Sequence, residues 1–363
     1  HKAGVPVVAR GAATGITGGC LGQGLIIDTS KYLTSILSIN LQEGYVICEP
    51  GVVQDALNAA LSPYGYRLGP DTSTGNRATL GGMLANNAAG SHSLRYGMMS
   101  DHVLGVDLLL ANGETLHLST TSWKEKCQLN NAEGELYRTL FSLHERYQEE
   151  IKKRFPLLPR RVSGYNLETL LNPDNVNLAT LIAGAEGTLG ITTAIKMGIS
   201  KNPGCTGLVL LFIDDMIAAM RRIPEILSYD PFAVEMLDKI ILEAGKTAPS
   251  LQGKHEWISP VPEAIFAIEF DAEESESLSK KMDVFKKSFA FEGKIVCMTS
   301  KEEIANVWAV RKAGLGLLLS KRTYTRAIAF IEDISVPPAQ MADFMTEFRA
   351  YLASIGKEAG IYG

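Results

Sequence analysis

A glycine-rich segment near the start of the chain most strongly limits what this sequence can fold into. Residues 10–19 follow the apolar stretch 5–9, which predicts a β-strand, and are mostly glycine, alanine and threonine. Glycine adopts positive φ and has no Cβ, so successive backbone N–H groups can converge on one anion, and Arg10 adds a positive charge. The pattern predicts a loop that cradles a pyrophosphate. A glycine-rich surface turn is the alternative, because glycine is common in all loops.

Two well-known phosphate-binding motifs are absent from the sequence. No Gly-x-x-x-x-Gly-Lys-Ser/Thr segment occurs, and residues 18–24 do not form a Gly-x-Gly-x-x-Gly turn after a strand. The sequence therefore argues against P-loop nucleotide hydrolysis and against ordinary Rossmann dinucleotide binding.

The composition favours a two-domain enzyme that acts on a small molecule. A chain of 363 residues with 46% apolar residues can bury a large core, and its length favours two domains. Its formal net charge of −5 gives no electrostatic reason to expect a nucleic acid partner. The longest apolar runs have the length of strands, so no membrane span is predicted, and peripheral contact with an inner membrane stays open.

The five cysteines lie far apart and form no Cys-x-x-Cys pair. Local spacing therefore provides neither a zinc knuckle nor an iron–sulfur cluster, and we expect free thiols in a reducing cytoplasm. The sequence opens without an initiator methionine or a signal-peptide pattern, just before a strand, which suggests a fragment cut inside a domain.

The rhythm of the sequence changes near residue 200, which predicts an α+β fold with domains 1–198 and 199–363. In the first domain short strands alternate with glycine-rich breaks, and helices are expected at 53–62 and 133–150. In the second domain strands alternate with amphipathic helices, including 274–290, 300–313 and one that opens at Pro337, whose Met and Phe stripe we assign to core packing. Strands are predicted at 5–9, 25–28, 45–49, 103–111, 115–119, 181–183, 191–195, 207–213, 264–270, 294–298 and 327–331.

Two further segments repeat the combination of small and hydroxyl-bearing residues. Residues 69–97 hold few charges, and their interleaved Gly, Ser, Thr and Asn suit a flavin ring edge and a ribityl diphosphate. A long structural loop is the alternative, although loops of this length without secondary structure usually bind something. Residues 183–192 frame a strand in the same way, with Glu186 as their only charge.

In this order and at these separations, the three segments resemble the FAD-binding domain of the vanillyl-alcohol oxidase and p-cresol methylhydroxylase superfamily. The resemblance implies a PCMH-type FAD-binding domain, here without its N-terminal part, followed by a ferredoxin-like substrate domain. Segment 10–19 matches the pyrophosphate loop, 70–97 the part that wraps the isoalloxazine and pyrophosphate, and 186–191 the turn near adenine. The implied FAD-binding residues are Arg10, Gly11, Ala12, Ala13, Thr14, Gly15, Gly18, Gly19, Pro70, Asp71, Thr72, Thr79, Gly81, Gly82, Ala85, Asn86, Asn87, Gly90, Ser91, Tyr96, Glu186, Gly187, Gly190 and Ile191.

Residues 160–167 and 330–337 resemble the D-2-hydroxyacid dehydrogenase branch, in particular its large bacterial enzymes similar to D-lactate and D-2-hydroxyglutarate dehydrogenases. This implies FAD-dependent oxidation of a D-2-hydroxy acid by hydride transfer to flavin N5, with electrons passed to a quinone, cytochrome or flavoprotein. A divalent, zinc-like metal and an iron–sulfur cluster are expected only in the full-length protein, and a homodimer stays open.

Arg311 is the leading candidate for the substrate carboxylate. Ser300 and Glu303 form a capping-box pattern, and the helix behind them carries Arg311 on an otherwise apolar face, with Ile304, Val307 and Trp308. From the residues alone, an arginine that snorkels or pairs with a carboxylate of its own domain is the more ordinary interpretation. Relatives that the chain resembles carry a carboxylate-binding arginine in a similar helix. Tyr165 and Asn166 are further candidates for orienting the acid.

No catalytic base or metal ligand can be assigned. The six histidines include no pair at metal-ligand spacing, and His92 is expected either to be an ordinary loop residue or to touch the cofactor. Similar enzymes supply the base from a His-rich segment that follows a Tyr-Gly strand, which places it past Gly363. Some also carry a lysine where this chain has Ile331, Glu332 and Asp333, so Arg322 or Arg326 is expected to serve instead.

Two other functions stay open on the sequence. One is a non-catalytic flavoprotein subunit of a larger complex. The other keeps the fold but changes the reaction, to an oxidase of phenols or sugars or a transferase that makes an ether lipid.

Overall fold

The structure is a computed structural model that describes residues 2–156, 158, 160–172, 174–320, 328 and 334–363. It divides into two compact units, His1–Asn202 and Pro203–Gly363. The division lies a few residues beyond the predicted boundary after residue 198. The reason is that Ser200–Lys201 pairs with Tyr66–Arg67, which keeps this stretch with the first unit.

Within the described residues, the first unit contains one six-stranded sheet and two short two-stranded sheets. Its strands are β1 (Val7–Arg10), β2 (Leu25–Asp28), β3 (Ile36–Asn40), β4 (Tyr45–Cys48), β5 (Tyr66–Arg67), β6 (Val103–Leu109), β7 (Thr115–Thr121), β8 (Val176–Asn177), β9 (Ile191–Gly198) and β10 (Ser200–Lys201). Its helices are α1 (Gln54–Leu61), α2 (Leu80–Ala85), α3 (Ser93–Tyr96), α4 (Met99–His102), α5 (Trp123–Cys127), α6 (Ala132–Arg154) and α7 (Ala179–Ile182).

The large sheet has the order β3-β4-β9-β6-β7-β8, and every neighbouring pair is antiparallel. Its buried side chains pack with α1, α2 and α6 into one core, which includes the thiol of Cys48. Burial raises the pKa of that thiol to about 12. β1 and β2 form a separate parallel pair, and the loop between them is the first glycine segment.

Capping and charge explain why residues 132–154 form α6, the longest helix in the described part of the chain. At the N-terminus of α6 the side chain of Asn131 accepts a hydrogen bond from Gly134 N at 2.9 Å, and Glu133 and Glu135 lie in the first turn. Lys152 and Lys153 lie in the last turn. Acidic residues at the start and basic residues at the end both favour the helix dipole, so capping and charge support this helix together.

The second unit contains a four-stranded antiparallel sheet in the order β12-β13-β11-β14, the arrangement of a ferredoxin-like fold. Residues of β11 alternate between two cores, one on each face of the sheet, as in Leu208 and Val209. Its strands are β11 (Cys205–Ile213), β12 (Ala233–Asp238), β13 (Ala264–Ala272) and β14 (Ile295–Met298). Its helices are α8 (Met216–Met220), α9 (Ile223–Leu227), α10 (Lys239–Thr247), α11 (Ser275–Ser288), α12 (Lys301–Leu319) and α13 (Met341–Ser354).

The α+β class with two units is confirmed, and several local predictions need correction. Residues 181–183, predicted as a strand, belong to α7 and the turn after it, so an apolar run was misread. Segment 69–97, for which a long structural loop was the alternative interpretation, contains α2 and α3, and β12 was not predicted. Ser300 lies at the N-cap of α12, but its side chain makes no capping hydrogen bond. The strand predicted at 327–331 lies almost entirely outside the described residues.

None of the helices in the described part of the chain is long and apolar enough to cross a membrane.

Candidate functional site

The first glycine segment turns tightly against the second. Arg10 ends β1, and its carbonyl accepts hydrogen bonds from the backbone and hydroxyl of Thr29. A Cβ added to Gly11 would overlap Oγ1 of Thr79, so only glycine allows this approach. Ala13 has a φ of 55° and Gly18 a φ of 82°, both in the left-handed region. The loop therefore keeps its backbone close to the start of α2.

The second segment is held by a glutamine that lies outside it. The buried side chain of Gln54 donates from Nε2 to the carbonyl of Pro70 at 2.5 Å, and its Oε1 accepts from the Thr72 hydroxyl at 2.8 Å. Gly90 lies so close to Asp71 that an added Cβ would overlap the Asp71 carbonyl. Both contacts fix the path of the backbone around residues 70–72.

Asp71 is paired with His92 in the same segment. The His92 Nδ1 atom lies 2.5 Å from Asp71 Oδ2, and the His92 backbone N–H donates to Oδ1 at 3.1 Å. Burial works to raise the pKa of Asp71, but hydrogen bonds from His92, with the charges of His92 and Arg67, hold that pKa below its usual value. Asp71, which the sequence assigned to the cofactor, thus has a partner within the protein.

The third segment meets the second through both backbone and side chains. Gly184 N donates to Leu84 O at 3.0 Å, and Glu186 N donates to Ala85 O at 2.9 Å. Asn86 Nδ2 donates to Glu186 Oε1 at 2.9 Å. A Cβ placed on Gly19 would lie 3.1 Å from Glu186 Oε2, so the first segment also reaches this point. All three glycine segments therefore meet in one place within the first unit.

Each of the three segments contains one non-glycine residue with positive φ: Ala13 at 55°, Asn87 at 50° and Glu186 at 51°. Asp230 is the other such residue in the described part of the chain. Asn87 is buried and uses its amide on Arg161 O and Ser100 N. Non-glycine residues in this conformation concentrate at binding and catalytic sites, where surrounding contacts hold them.

The remaining residues of the predicted cofactor set lie along the same three segments. Ala12, Thr14, Gly15, Gly81, Gly82, Gly187, Gly190, Ser91 and Ile191 are exposed or half-buried. Tyr96 is buried, and Arg67 stacks on its ring at 5.1 Å.

One buried polar atom at the meeting point has no partner. Thr79 is 2% exposed, and among the described residues nothing hydrogen-bonds its Oγ1. An unsatisfied buried hydroxyl costs free energy, so it indicates a place where a ligand supplies the missing bond. The hydroxyl lies against the backbone of Gly11, at the start of the first segment.

Tyr165 and Asn166 lie beside the third segment, and their polar groups are used within the protein. Tyr165 Oη lies 2.8 Å from Thr188 Oγ1. Asn166 is buried, and its Nδ2 donates to the carbonyls of Thr180 and Ala183 at 3.0 and 2.9 Å. The amide of Asn166 thus ties its loop to α7, a role that the sequence did not predict.

Arg311 lies in the second unit and forms an ion pair there. Its Nε donates to Oε2 of Glu235, which is buried on β12. The guanidinium carbon lies 4.6 Å from the ring centroid of Tyr362. This is the intradomain pairing that the sequence left open, and it occupies one edge of the guanidinium. The alternative cations Arg322 and Arg326 lie outside the described residues.

No group of three or more His, Cys, Asp or Glu side chains in the described ranges could hold a metal ion.

Comparison with known proteins finds a matching family model for each unit. The family model described as "FAD binding domain" matches residues 1–119, and the model "FAD linked oxidases, C-terminal domain" matches residues 204–363. Each unit is thus similar to one domain of FAD-linked oxidases. The three glycine segments and the second unit therefore belong to a flavoprotein architecture.

Curated relatives of this chain carry informative names. The chain is 32% identical to D-2-hydroxyglutarate dehydrogenase of Escherichia coli (strain K12) over 375 aligned residues, which cover 98% of the chain and 36% of that protein. It is 24% identical to D-lactate dehydrogenase of Archaeoglobus fulgidus, covering 99% of the chain and 67% of that protein. The chain thus spans little more than a third of the length of the first of these relatives.

The fold of this chain is also found in a solved structure. Alkyldihydroxyacetonephosphate synthase superposes with a TM-score of 0.65 at 17% identity, over 97% of this chain and 62% of that one. At this identity the likeness shows the fold alone.

The described residues fit FAD as the cofactor. Three backbone segments with close glycine approaches meet at one place, and the unpartnered Thr79 hydroxyl lies there. Arg10 supplies a positive charge at the start of the first segment. Such an arrangement suits an extended diphosphate, which takes hydrogen bonds from backbone N–H groups and hydroxyls.

Sequence reasoning did not identify the partners in three contacts: Gln54 to residues 70–72, Asp71 to His92, and Glu235 to Arg311. The first contact joins glycine segment 69–97 to a residue outside it, and the second lies within that segment; the polarity of these residues alone gave no signal. Only an acidic residue within an apolar stretch, Glu235 after Val234, could have suggested the third.

Proposed function

We propose that the protein containing this chain oxidises a D-2-hydroxy acid, of the D-lactate or D-2-hydroxyglutarate type, to the 2-oxo acid with FAD as the electron acceptor. The observation that carries the proposal is the meeting of three glycine segments in one unit, next to an unpartnered buried hydroxyl. The relatives at 32% identity, named D-2-hydroxyglutarate dehydrogenases, support this choice of substrate class.

In this proposal the first unit binds the cofactor through main-chain groups. Residues 10–19 and 79–82 take the diphosphate, with Thr79 Oγ1 donating one hydrogen bond and Arg10 balancing charge. Glu186, fixed by Asn86, borders the same place. When bound there, FAD would supply a two-electron acceptor for the hydride on C2 of the acid.

The second unit contributes the group that recognises the acid. Arg311 binds the substrate carboxylate, since a guanidinium matches two carboxylate oxygens with parallel N–H donors. A carboxylate held this way fixes the position of C2 and of its hydroxyl. Oxidation also requires a base that accepts the proton of that hydroxyl and a carrier that takes the electrons from the reduced cofactor.

An optical experiment on the full-length flavoprotein tests the function. D-2-hydroxyglutarate or D-lactate, added anaerobically, should bleach the visible absorbance of the oxidised flavin, and the L isomers should not. Bound flavin that no 2-hydroxy acid bleaches would contradict the proposal and favour a non-catalytic subunit. Rapid hydrogen peroxide formation in air, with another class of substrate, would favour an oxidase.

A further inference from the structure

We propose that Glu235 is a positioning residue for Arg311: it holds the Nε edge of the guanidinium so that the Nη1/Nη2 end faces the substrate carboxylate, with Tyr362 stacked on the guanidinium. The proposal rests on the function proposed above and adds to it a residue on another strand. It concerns residues of the second unit only.

The hydrogen bonds of Arg311 define its free end. Its Nε donates to Glu235 Oε2, and the two side chains are 14% and 7% exposed. Among the residues that the structure describes, none accepts a hydrogen bond from Nη1 or Nη2. A guanidinium has five N–H donors, of which the Nη1/Nη2 end matches a carboxylate bidentately. The pair with Glu235 therefore leaves the carboxylate-binding end of Arg311 available.

The ring of Tyr362 covers one face of the Arg311 guanidinium and so restricts its movement. The ring centroid lies 4.6 Å from Cζ of Arg311, within the range of a cation–π contact. Tyr362 lies in a terminal segment that pairs with β12: Met236 N donates to Gly363 O at 2.7 Å, and Ile361 N donates to Asp238 Oδ2 at 2.6 Å. The ring and the carboxylate that hold Arg311 are thus both fixed to the same strand.

Asp238 links this strand to the helix that follows. Its Oδ1 accepts from Ile241 N at 2.9 Å, which caps α10, while its Oδ2 accepts from Ile361 N. One buried side chain therefore fixes both the start of α10 and the segment that carries Tyr362.

The charge balance shows what Glu235 contributes. Arg311 and Glu235 together are neutral, so the substrate carboxylate meets a cation whose charge is already compensated. Glu235 thus opposes the incoming negative charge and helps only by fixing the direction of the guanidinium. It follows that Glu235→Gln, which keeps an acceptor for Nε–H and removes the charge, should bind carboxylates at least as well as the wild type. Glu235→Ala, which leaves Arg311 free to rotate, should bind them poorly.

The experiment uses the full-length flavoprotein and three variants. Glu235→Ala should raise both the Kd for 2-oxoglutarate and the KM for D-2-hydroxyglutarate about tenfold or more, the expected effect of losing an oriented charged hydrogen bond. The kcat should change much less. Glu235→Gln should give a Kd and a KM no higher than those of the wild type. The matched control is Glu263→Ala, which breaks another Arg–Glu pair of this unit, to Arg349 at 2.9 Å, and should leave Kd and KM unchanged.

A second measurement does not depend on turnover. The ¹⁵N-detected Nε–H signal of Arg311, assigned by its loss in Arg311→Lys, should exchange slowly with water in the wild type and in Glu235→Gln, and rapidly in Glu235→Ala. Titration with 2-oxoglutarate should shift it in the wild type.

The outcomes separate the two proposals. Suppose that D-2-hydroxy acids reduce the wild type, but that Glu235→Ala binds 2-oxoglutarate like the wild type or loses no more affinity than Glu263→Ala does. The positioning role is then wrong, and the proposed function stands. If no hydroxy acid reduces or binds to the wild type, the proposed function is wrong, and the Nε–H signal decides only whether Glu235 holds the guanidinium of Arg311. A signal that stays protected in Glu235→Ala then overturns it.

Discussion

The candidate binding regions of the two units consist of different chemical groups. In the first unit, the place where the three glycine segments meet is made of backbone, glycines and one buried hydroxyl, with Arg10 as a charge at its edge. In the second unit, the candidate carboxylate site is made of side chains on separate elements: Arg311 from α12, Glu235 from β12 and Tyr362 from the terminal segment. Binding by backbone groups depends on the shape of the main chain, whereas binding by charged side chains depends on how far their charges compensate one another.

The largest expected effect concerns the compensated pair. Arg311→Leu leaves the buried carboxylate of Glu235 without its cation and should lower the free energy of unfolding by about 3 kcal/mol. The double variant Arg311→Leu/Glu235→Leu should recover most of that loss, because two apolar side chains replace the pair. Denaturant unfolding monitored by circular dichroism measures both. Equal destabilisation of the single and double variants would show that the pair contributes no compensation.

The second prediction separates two glycines of the same loop. Gly11→Ala should lower the free energy of unfolding by about 1 to 3 kcal/mol, because its Cβ would overlap the buried Thr79 side chain. Gly15→Ala is the matched control, since a Cβ there meets no atom within 4 Å. It should leave the stability of the flavin-free protein unchanged and weaken FAD binding only, as measured by flavin fluorescence. Unchanged FAD affinity in Gly15→Ala would remove this glycine from the cofactor site.

The third prediction uses pH to probe Asp71. Its pKa in the folded protein is lowered, so its stabilisation is present above the pKa of the unfolded chain and is lost as pH falls through the folded value. Asp71→Asn should therefore unfold more readily than the wild type at pH 7, by roughly 1 to 3 kcal/mol, the usual range for a hydrogen bond to a charged group. The difference should shrink toward pH 3. Urea unfolding at several pH values checks this, and a difference independent of pH would contradict it.

The smallest effect is expected at Thr79, with opposite signs in the two states of the protein. Thr79→Val has the same shape but no hydroxyl, so it should stabilise the flavin-free protein by about 1 kcal/mol. Because the hydroxyl is proposed to bond FAD, the same variant should weaken FAD binding by about tenfold. Thermal unfolding with and without FAD measures both. Thr79→Ser keeps the hydroxyl and is the control for FAD affinity.

The comparison also explains which features the sequence could predict. Leu25–Asp28 was predicted with its observed bounds, and the class of both units was correct, because alternating apolar residues mark strands. Each glycine segment is continuous in the sequence and can be recognised from its composition. The meeting of the three segments in space was expected only because of the resemblance to a known family. Their role as FAD ligands remains a prediction.

The side-chain contacts could not be predicted because their partners are distant in the sequence. Glu235 and Arg311 are 76 positions apart, and β12 was missed since Glu235 and Asp238 interrupt its apolar pattern. Those two acidic residues are buried because Arg311 and Ile361 N satisfy them. The residues that obscured the strand are therefore the ones that connect it to the rest of the unit.

The alkylation rate of the buried Cys48 thiol measures how often the core of the first unit opens. Only a thiolate reacts readily with alkylating reagents, and this thiol lies in the core that supports the glycine segments, with its pKa raised to about 12. Alkylation there requires the core to open, so its rate reports local unfolding in that unit while the second unit stays intact. A ligand that ties the three segments together should slow the reaction in proportion to its occupancy.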